Sequence, residues 1–277
     1  MRDYTPQILR AIRKYYGVNQ APFSEVLEVK QGTLSKIEAG QLEISARQWI
    51  NVCTKYHLDP NIITTGRIEA LENIKINPIS KKRYGNFKVD SSYQLLMGST
   101  VRTVYPILKF MASKVGTQVT AEFLKSKKID PDYFIIQNLP INIKIIEDIF
   151  NFLNQRALIS IGNVKEILTT TRTSEVHGYA LSQINTGHDD NKNFQSFTKK
   201  ISQLYEDNST YSFEGDKKCY IRATDNETLK ALNIGEEFNQ FRSIYNLSHF
   251  NNLSPVLFSD KRFKVQSTDK GWNIAVA

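Results

Sequence analysis

Apolar residues recur at helical spacing over roughly the first 65 positions of the chain. Ile8, Leu9, Ile12 and Tyr16 predict a first helix that ends at Gly17. Four more short helices are predicted from Asn19, from near Lys30 to Gly40, over 45–56 and after Asp59-Pro60. Their inward faces are predicted to carry the following side chains: Phe23, Val26, Leu27, Leu34, Ile37, Trp49, Val52, Cys53, Tyr56, Ile62 and Ile63. Five short helices in so short a stretch predict a compact all-helical domain.

The pattern changes after residue 66. Asn77-Pro78 and the basic stretch SKKRYGNFK (80–88) predict a linker over 67–90 that begins with a helix over 67–75. Further on, helices are predicted over 92–115 and 142–153. The apolar residues then alternate over 219–223 and 263–277, with a hairpin turn at Asp269-Lys270-Gly271. The predicted organisation is a five-helix all-α domain over 1–66, a linker over 67–90 and a larger α+β domain over 91–277.

Composition and charge narrow the class of protein. The chain has 277 residues, of which 40% are hydrophobic and 23% are charged, as in ordinary globular proteins. Its two cysteines exclude a disulfide scaffold and favour a cytoplasmic location. The charged N-terminus is unlike a signal peptide, and no apolar run is long enough to predict a membrane helix. The net charge of +8 favours a polyanionic partner.

The segment QAPFSEVLEVKQGTLSKIEAG (20–40) has the pattern of two helices joined by a short turn. With its flanking helices it resembles the Cro/C1-type (XRE) helix-turn-helix family of bacterial and phage repressors. The positions that carry the resemblance are Arg13, Gln20, Phe23, Ser24, Val29, Leu34, Ser35, Ile37, Glu38, Gly40, Trp49, Val52, Tyr56 and Leu58. In two places the sequence departs from the family: Glu28 replaces a glycine at a turn position that often has positive φ, and Ser24 replaces an alanine.

The resemblance implies that the third helix lies in the DNA major groove. Leu34 and Ile37 face inward, which turns Lys30, Gln31, Gly32 and Lys36 outward. The resemblance implies that these four positions face the bases. The DNA-binding residues that the resemblance implies are Gln20, Lys30, Gln31, Thr33, Lys36 and Arg47. Of these, Gln20 is expected to bond a phosphate and Arg47 to reach the backbone or the minor groove. Arg13 and Glu38 are implied to form an internal ion pair.

Residues 124–153 are faintly similar to the ligand-binding region of some AraC-type regulators, and no binding residues follow from this similarity. No phosphate-binding, dinucleotide, zinc-protease or nucleophile-elbow motif occurs, so no enzyme, cofactor or metal site is predicted. His57 is predicted to be a surface or helix-capping residue, and His188 is predicted to lie in a solvated turn. His177 and His249 are predicted to be either pocket residues or core histidines whose ring nitrogens are hydrogen-bonded. The second prediction is favoured. Cys219 is predicted to lie in the core.

These observations predict a cytoplasmic, sequence-specific DNA-binding transcription regulator whose partner is double-stranded DNA. The C-terminal domain is expected to sense a small-molecule or protein effector and to hold a homodimer together. The alternative is a protein-interaction module, such as an antitoxin or a scaffold, whose C-terminal domain binds a protein partner. A shift of DNA mobility that depends on salt would favour the regulator, and co-purification of a second polypeptide would favour the alternative.

Overall fold

A computed structural model describes residues 5–60, 62–69, 85–171, 173–178, 192–193, 204–206, 208–214, 220–225, 227–257, 263–268 and 271–276. The chain forms two compact units. The first contains residues 1–90 and 124–139, and the second contains residues 91–123 and 140–277. The sequence pattern assigned residues 124–139 to the second domain, whereas in the structure they pack within the first unit.

The N-terminal part of the first unit is helical, as the apolar spacing predicted. Its helices are α1 (Thr5–Tyr16), α2 (Gln20–Val26), α3 (Gln31–Glu38), α4 (Ala46–Tyr56) and α5 (Ile62–Thr65). Residues 67–69, predicted as the start of a helix, instead form an extended stretch in which Ile68 makes a parallel bridge to Ile136. The remainder of the predicted linker helix and the Asn77-Pro78 break lie outside the described residues.

Local sequence signals explain where these helices end. Gly17 has φ of 67° after α1, and Gly40 has φ of 73° after α3, a conformation that glycine adopts without steric cost. Ser45 and Gln48 form a reciprocal capping box at the start of α4. His57 caps the other end of α4 in the left-handed conformation and is exposed, which confirms its predicted place. At α2, by contrast, the Asn19 side chain makes no capping bond.

One face of each longer helix builds the core of the first unit. Phe23 stacks on Tyr56 with ring centroids 5.6 Å apart, and the Trp49 Nε1–H donates to the Pro60 carbonyl at 3.0 Å. Two predicted core residues are exceptions, because Val26 is half-buried and Ile63 is exposed. The buried apolar side chains include Ile8, Leu9, Ile12, Tyr15, Phe23, Leu27, Leu34, Ile37, Trp49, Val52, Cys53, Tyr56 and Ile62.

Residues 124–139, called here the returning segment, pack against α1. The segment contains the 3₁₀ turn Pro131–Ile135, and Asp130 caps that turn by accepting from the Asp132 N–H. The Lys14 ammonium lies 2.6 Å from an Asp130 oxygen and 2.8 Å from an Asp132 oxygen. Burial alone would lower the pKa of Lys14, but the hydrogen bonds and charges of the two aspartates outweigh it and the pKa is raised. The ammonium is therefore charged and paired at neutral pH.

The second unit mixes helices and strands, in agreement with the predicted α+β class. Its helices are α6 (Ser91–Gln94), α7 (Val101–Ser126, its last residues in the first unit), α8 (Lys144–Asn154), α9 (Thr173–His177), α10 (Glu227–Ala231) and α11 (Glu236–Leu257). A further 3₁₀ helix spans Ile161–Thr170. The helix predicted over 92–115 is interrupted: Leu96 has φ of 50°, and the short strand β1 (Ser99–Thr100) precedes α7. The predicted end at 115 coincides with a kink at Gly116.

The strands form two antiparallel sheets. β1 pairs with β2 (Pro140–Ile141). The larger sheet contains β3 (Ser209–Glu214), β4 (Tyr220–Asp225), β5 (Phe263–Thr268) and β6 (Gly271–Val276) in the order β3-β4-β6-β5. Thr268 pairs with Gly271, which confirms the predicted pairing of the two last strands, although the turn residues 269–270 lie outside the described residues. No helix among the described residues is long and apolar enough to span a membrane.

The two core histidines of the second unit differ in how their rings are satisfied. His177 is fully buried, and its Nδ1 lies 2.5 Å from the Tyr205 hydroxyl. His249 is also buried, but neither of its ring nitrogens has a hydrogen-bond partner among the residues that the structure describes. The prediction of a satisfied core histidine is therefore wrong for His249. Burial lowers the pKa of His249 to about 3, so its ring is neutral in the folded chain.

Replacing Gly85 by alanine is expected to destabilise the first unit by about 2–4 kcal/mol. Gly85 has φ of 66°, and an added Cβ would lie 2.5 Å from the Tyr15 Cα and 2.6 Å from the Lys14 carbonyl oxygen. Chemical denaturation measures the change. Gly32→Ala is the matched control, because nothing lies within 4 Å of its Cβ position. Equal stability of the two variants would contradict the close packing of Gly85 on α1.

The neutral His249 ring predicts a stability that falls in mild acid. The folded pKa is about 3 and the unfolded pKa is about 6.5, so the unfolded state takes up the proton first and unfolding is favoured as pH falls below 6.5. Between pH 7 and pH 5 the loss is about 2 kcal/mol. His249→Phe is expected to remove this part of the pH dependence in denaturation curves. His57→Asn, at an exposed ring, should retain it, and an unchanged slope in His249→Phe would contradict the assignment.

Candidate nucleic-acid interface

Helix α3 divides into a buried and an exposed side. Leu34, Ile37 and Glu38 are buried against the rest of the first unit. Helix α2 precedes α3, and the turn between them covers residues 27–30. Lys30 occupies the N-cap position of α3 with extended backbone angles. The apolar spacing that predicted a core-facing side of the third helix is thus confirmed.

The exposed side of α3 carries most of the residues that the resemblance implied. Lys30, Gln31 and Lys36 are exposed, whereas Thr33 is half-buried. A Cβ added at Gly32 would meet nothing within 4 Å, so the surface is open at this position. Ser35 is also exposed on this helix and was not among the predicted contacts.

The turn before α3 is tied to α4. Glu28 has φ of 55°, which confirms that this turn position needs the left-handed conformation although it is not glycine. The Gln48 Nε2–H donates to the Leu27 carbonyl at 3.1 Å, so the capping residue of α4 also fixes the turn. The Arg47 Nη2 lies 3.3 Å from the Glu28 Oε2, and the two side chains are 78% and 58% exposed. This exposed pair contributes little to stability, so Arg47 is readily released.

A buried carboxylate anchors α3 from behind. Glu38 is 5% exposed and accepts from Arg13 through two parallel bonds: Nε to Oε1 at 2.8 Å and Nη2 to Oε2 at 3.1 Å. Such two-pronged pairs fix both distance and orientation. Arg13 and Glu38, the pair implied by the resemblance, therefore join α1 to the last residue of α3.

Gln20 takes part in the same network. Its Nε2–H donates to Glu38 Oε2 at 2.8 Å, so the side-chain nitrogen at the start of α2 is directed toward the buried carboxylate. The resemblance assigned Gln20 to a phosphate contact. The amide nitrogen carries two hydrogens, so its second N–H can donate to a phosphate while the first remains bonded to Glu38.

Arg10 is a residue of this network that sequence reasoning missed. Its Nη1–H donates to the backbone carbonyl of Glu38, and its Nε and Nη2 donate to the two Asp132 oxygens at 3.0 and 3.2 Å. Arg10, Arg13 and Lys14 share one side of α1 by their spacing of three and four residues. That spacing was a visible signal, but their acidic partners lie far away in the sequence.

The charges around the exposed side of α3 suit an anionic or hydrogen-bond-accepting partner. Lys30 and Lys36 carry exposed ammonium groups, and Gln31 offers both a donor and an acceptor between them. Exposed acidic residues lie on α2 and its turn, at Glu25 and Glu28. The side of α3 itself carries no exposed acidic residue within the described helix.

Two observations concern metal ligands and the Cys53 thiol in the part of the chain that the structure describes. There, no group of three or more His, Cys, Asp or Glu residues is arranged to hold a metal ion. Burial, with a smaller effect from Asp59, raises the pKa of the Cys53 thiol to about 11, so this thiol is protonated at neutral pH. The predictions for Cys219 and His188 lie outside the described residues.

No protein family matches the chain, and no curated protein or solved structure is detectably similar to it. The resemblance to the Cro/C1-type family therefore rests on the motif residues within 13–58 and stays a prediction. The geometry of α2, the turn and α3 can be stated independently of it.

Removing the Glu38 carboxylate is expected to destabilise the first unit strongly. Glu38→Ala leaves the Arg13 guanidinium without its partner, which costs about 3–5 kcal/mol for a buried pair. Arg13→Met combined with Glu38→Leu should recover much of that stability, because no unpaired charge remains. Thermal and chemical denaturation of the variants measure both effects. Glu43→Ala, at an exposed carboxylate, is the control, and a Glu38→Ala protein as stable as the parent would contradict the buried pair.

Proposed function

We propose that the chain is a sequence-specific DNA-binding transcription regulator whose helix α3 reads the major groove. The proposal is supported chiefly by the exposed side of α3. Lys30, Gln31 and Lys36 are exposed there, and no atom lies within 4 Å of a Cβ built at Gly32. Side chains that recognise a ligand specifically need to be held in place by a rigid part of the fold. The buried Glu38 network supplies such a support in this unit.

The exposed side chains match the chemistry of base edges. Glutamine can pair in two-pronged fashion with adenine, and lysine can donate to the guanine acceptors. We assign Gln31 and Lys36 to these roles, and Lys30, Thr33 and Gln20 to supporting contacts with bases or phosphates. Arg47 would reach the DNA backbone once it leaves its exposed partner Glu28.

The second unit is assigned to assembly and control. One helix-turn-helix module buries a small interface on DNA, and regulators of this kind gain affinity by binding two half-sites as a dimer. We therefore propose a homodimer in the cytoplasm, with a small-molecule or protein effector acting on the second unit. No catalytic role is part of this proposal.

Selection from a pool of random double-stranded DNA tests the function. The full-length protein is expected to enrich a defined motif, with binding that weakens steeply as salt rises. Gln31→Ala and Lys36→Ala should each lower affinity for the enriched DNA by about 1–3 kcal/mol and change binding to random DNA much less.

Lys165→Ala is the matched control, because it removes an exposed lysine from the second unit. This control should bind the enriched DNA like the parent. If Gln31→Ala and Lys36→Ala also bind like the parent, α3 is not the reading helix. If no motif is enriched and a second polypeptide co-purifies with the protein, the alternative of a protein-interaction module is favoured.

A further inference from the structure

A chain of polar contacts connects the returning segment to the end of α3. Asp132 holds the Arg10 guanidinium through both of its carboxylate oxygens, at 3.0 and 3.2 Å. The third nitrogen of the same guanidinium donates to the Glu38 backbone carbonyl. Glu38 is the last residue of α3, and its carbonyl is among the last four of the helix, which have no partner within it. Arg10 thus caps the C-terminus of α3, and Asp132 orients the cap.

Charge makes this cap favourable and hard to replace. A cation at the C-terminus of a helix stabilises the partial negative charge of the helix dipole there. Asp132 is 8% exposed on its side chain, so it is poorly screened by water, and it also receives the Lys14 ammonium. Loss of the Asp132 carboxylate would remove a partner of both Arg10 and Lys14. It would also free the Arg10 guanidinium to rotate away from the Glu38 carbonyl.

The returning segment is itself firmly held within the first unit. The Asp130 N–H donates to the Lys88 carbonyl at 2.8 Å. The Ile68 N–H donates to the Ile135 carbonyl and the Gln137 N–H donates to the Ile68 carbonyl, both at 2.9 Å. Arg67 donates to the Phe134 carbonyl. The segment is also continuous at both ends with the second unit, since residue 123 precedes it and Pro140 of β2 follows it.

We propose that the returning segment regulates the reading helix: Asp132, through Arg10, holds α3 in the orientation that binds specific DNA. A displacement of either end of the segment would be transmitted to Asp132 and would loosen the cap on α3. Asp132 and Arg10 are positioning residues and make no contact with DNA in this scheme. The proposal rests on the proposed function for its readout in DNA affinity, but its structural part can be measured without DNA.

The first test compares Asp132→Asn with the parent on the enriched DNA and on random DNA. Loss of an acidic residue raises the net charge by one, which by electrostatics alone strengthens all DNA binding. The proposal predicts the opposite for the specific complex, a loss of about 5- to 20-fold, with no loss on random DNA. Glu166→Gln makes the same charge change at an exposed carboxylate of the second unit and should keep the specific affinity. Asp132→Glu should rescue part of the loss.

A double-variant cycle shows whether Asp132 acts through Arg10. Arg10→Gln is expected to lower specific affinity as Asp132→Asn does, and the double variant is expected to be no weaker than either single variant. Losses that simply multiply would overturn the proposal. So would an Asp132→Asn protein that binds specific and random DNA with an equal gain, which would be a charge effect alone.

Hydrogen exchange of backbone amides separates this proposal from the proposed function. The Ala39, Gly40 and Gln41 amides bond to the last carbonyls of α3. In free protein, Asp132→Asn should speed exchange of these amides at least several-fold relative to the amides of α4. If they exchange as in the parent, the proposal fails even if DNA binding is established. If they exchange faster and the parent binds no specific DNA, the proposed function alone fails.

Discussion

The first unit depends on one buried carboxylate. Glu38 is removed from water at the end of a short helix, a position that would strongly destabilise an unpaired charge. Arg13 and Gln20 satisfy its oxygens, so the carboxylate joins α1, the start of α2 and the end of α3. Helices of seven and eight residues are too short to be stable alone. Their relative position follows from this shared partner together with the apolar core.

The same helix, α1, organises a second set of charges. Arg10 and Lys14 meet Asp130 and Asp132 of the returning segment, while Arg13 turns to Glu38. Three cations within two turns would repel one another if left unpaired. Pairing them with the buried carboxylates of Glu38 and Asp132 and with the half-buried Asp130 removes that repulsion. It also makes residues that are distant in sequence part of one compact unit.

The proposed function places different demands on the two sides of α3. The exposed side needs donors and acceptors that are free to meet base edges, and it has them at Lys30, Gln31 and Lys36. The buried side needs rigidity, which Leu34, Ile37 and the Glu38 network supply. The exposed Arg47–Glu28 pair is formed in the free protein, but it contributes little stability and can open when Arg47 contacts DNA.

The left-handed turn at Glu28 was expected only through the family resemblance. The sequence pattern itself determined the helices of the first 65 residues and the pairing of the last two strands, because periodicity, caps and turns are local signals. It also indicated the exposed side of α3, since Leu34 and Ile37 define the opposite side. Only the tertiary structure decided that residues 124–139 pack on α1 and that Arg10 is held between Asp132 and Glu38. It likewise decided that the His249 ring is buried with neither nitrogen hydrogen-bonded to any described residue. The ion pairs between α1 and the returning segment join positions more than a hundred residues apart, and nothing in the local pattern selects one partner over another.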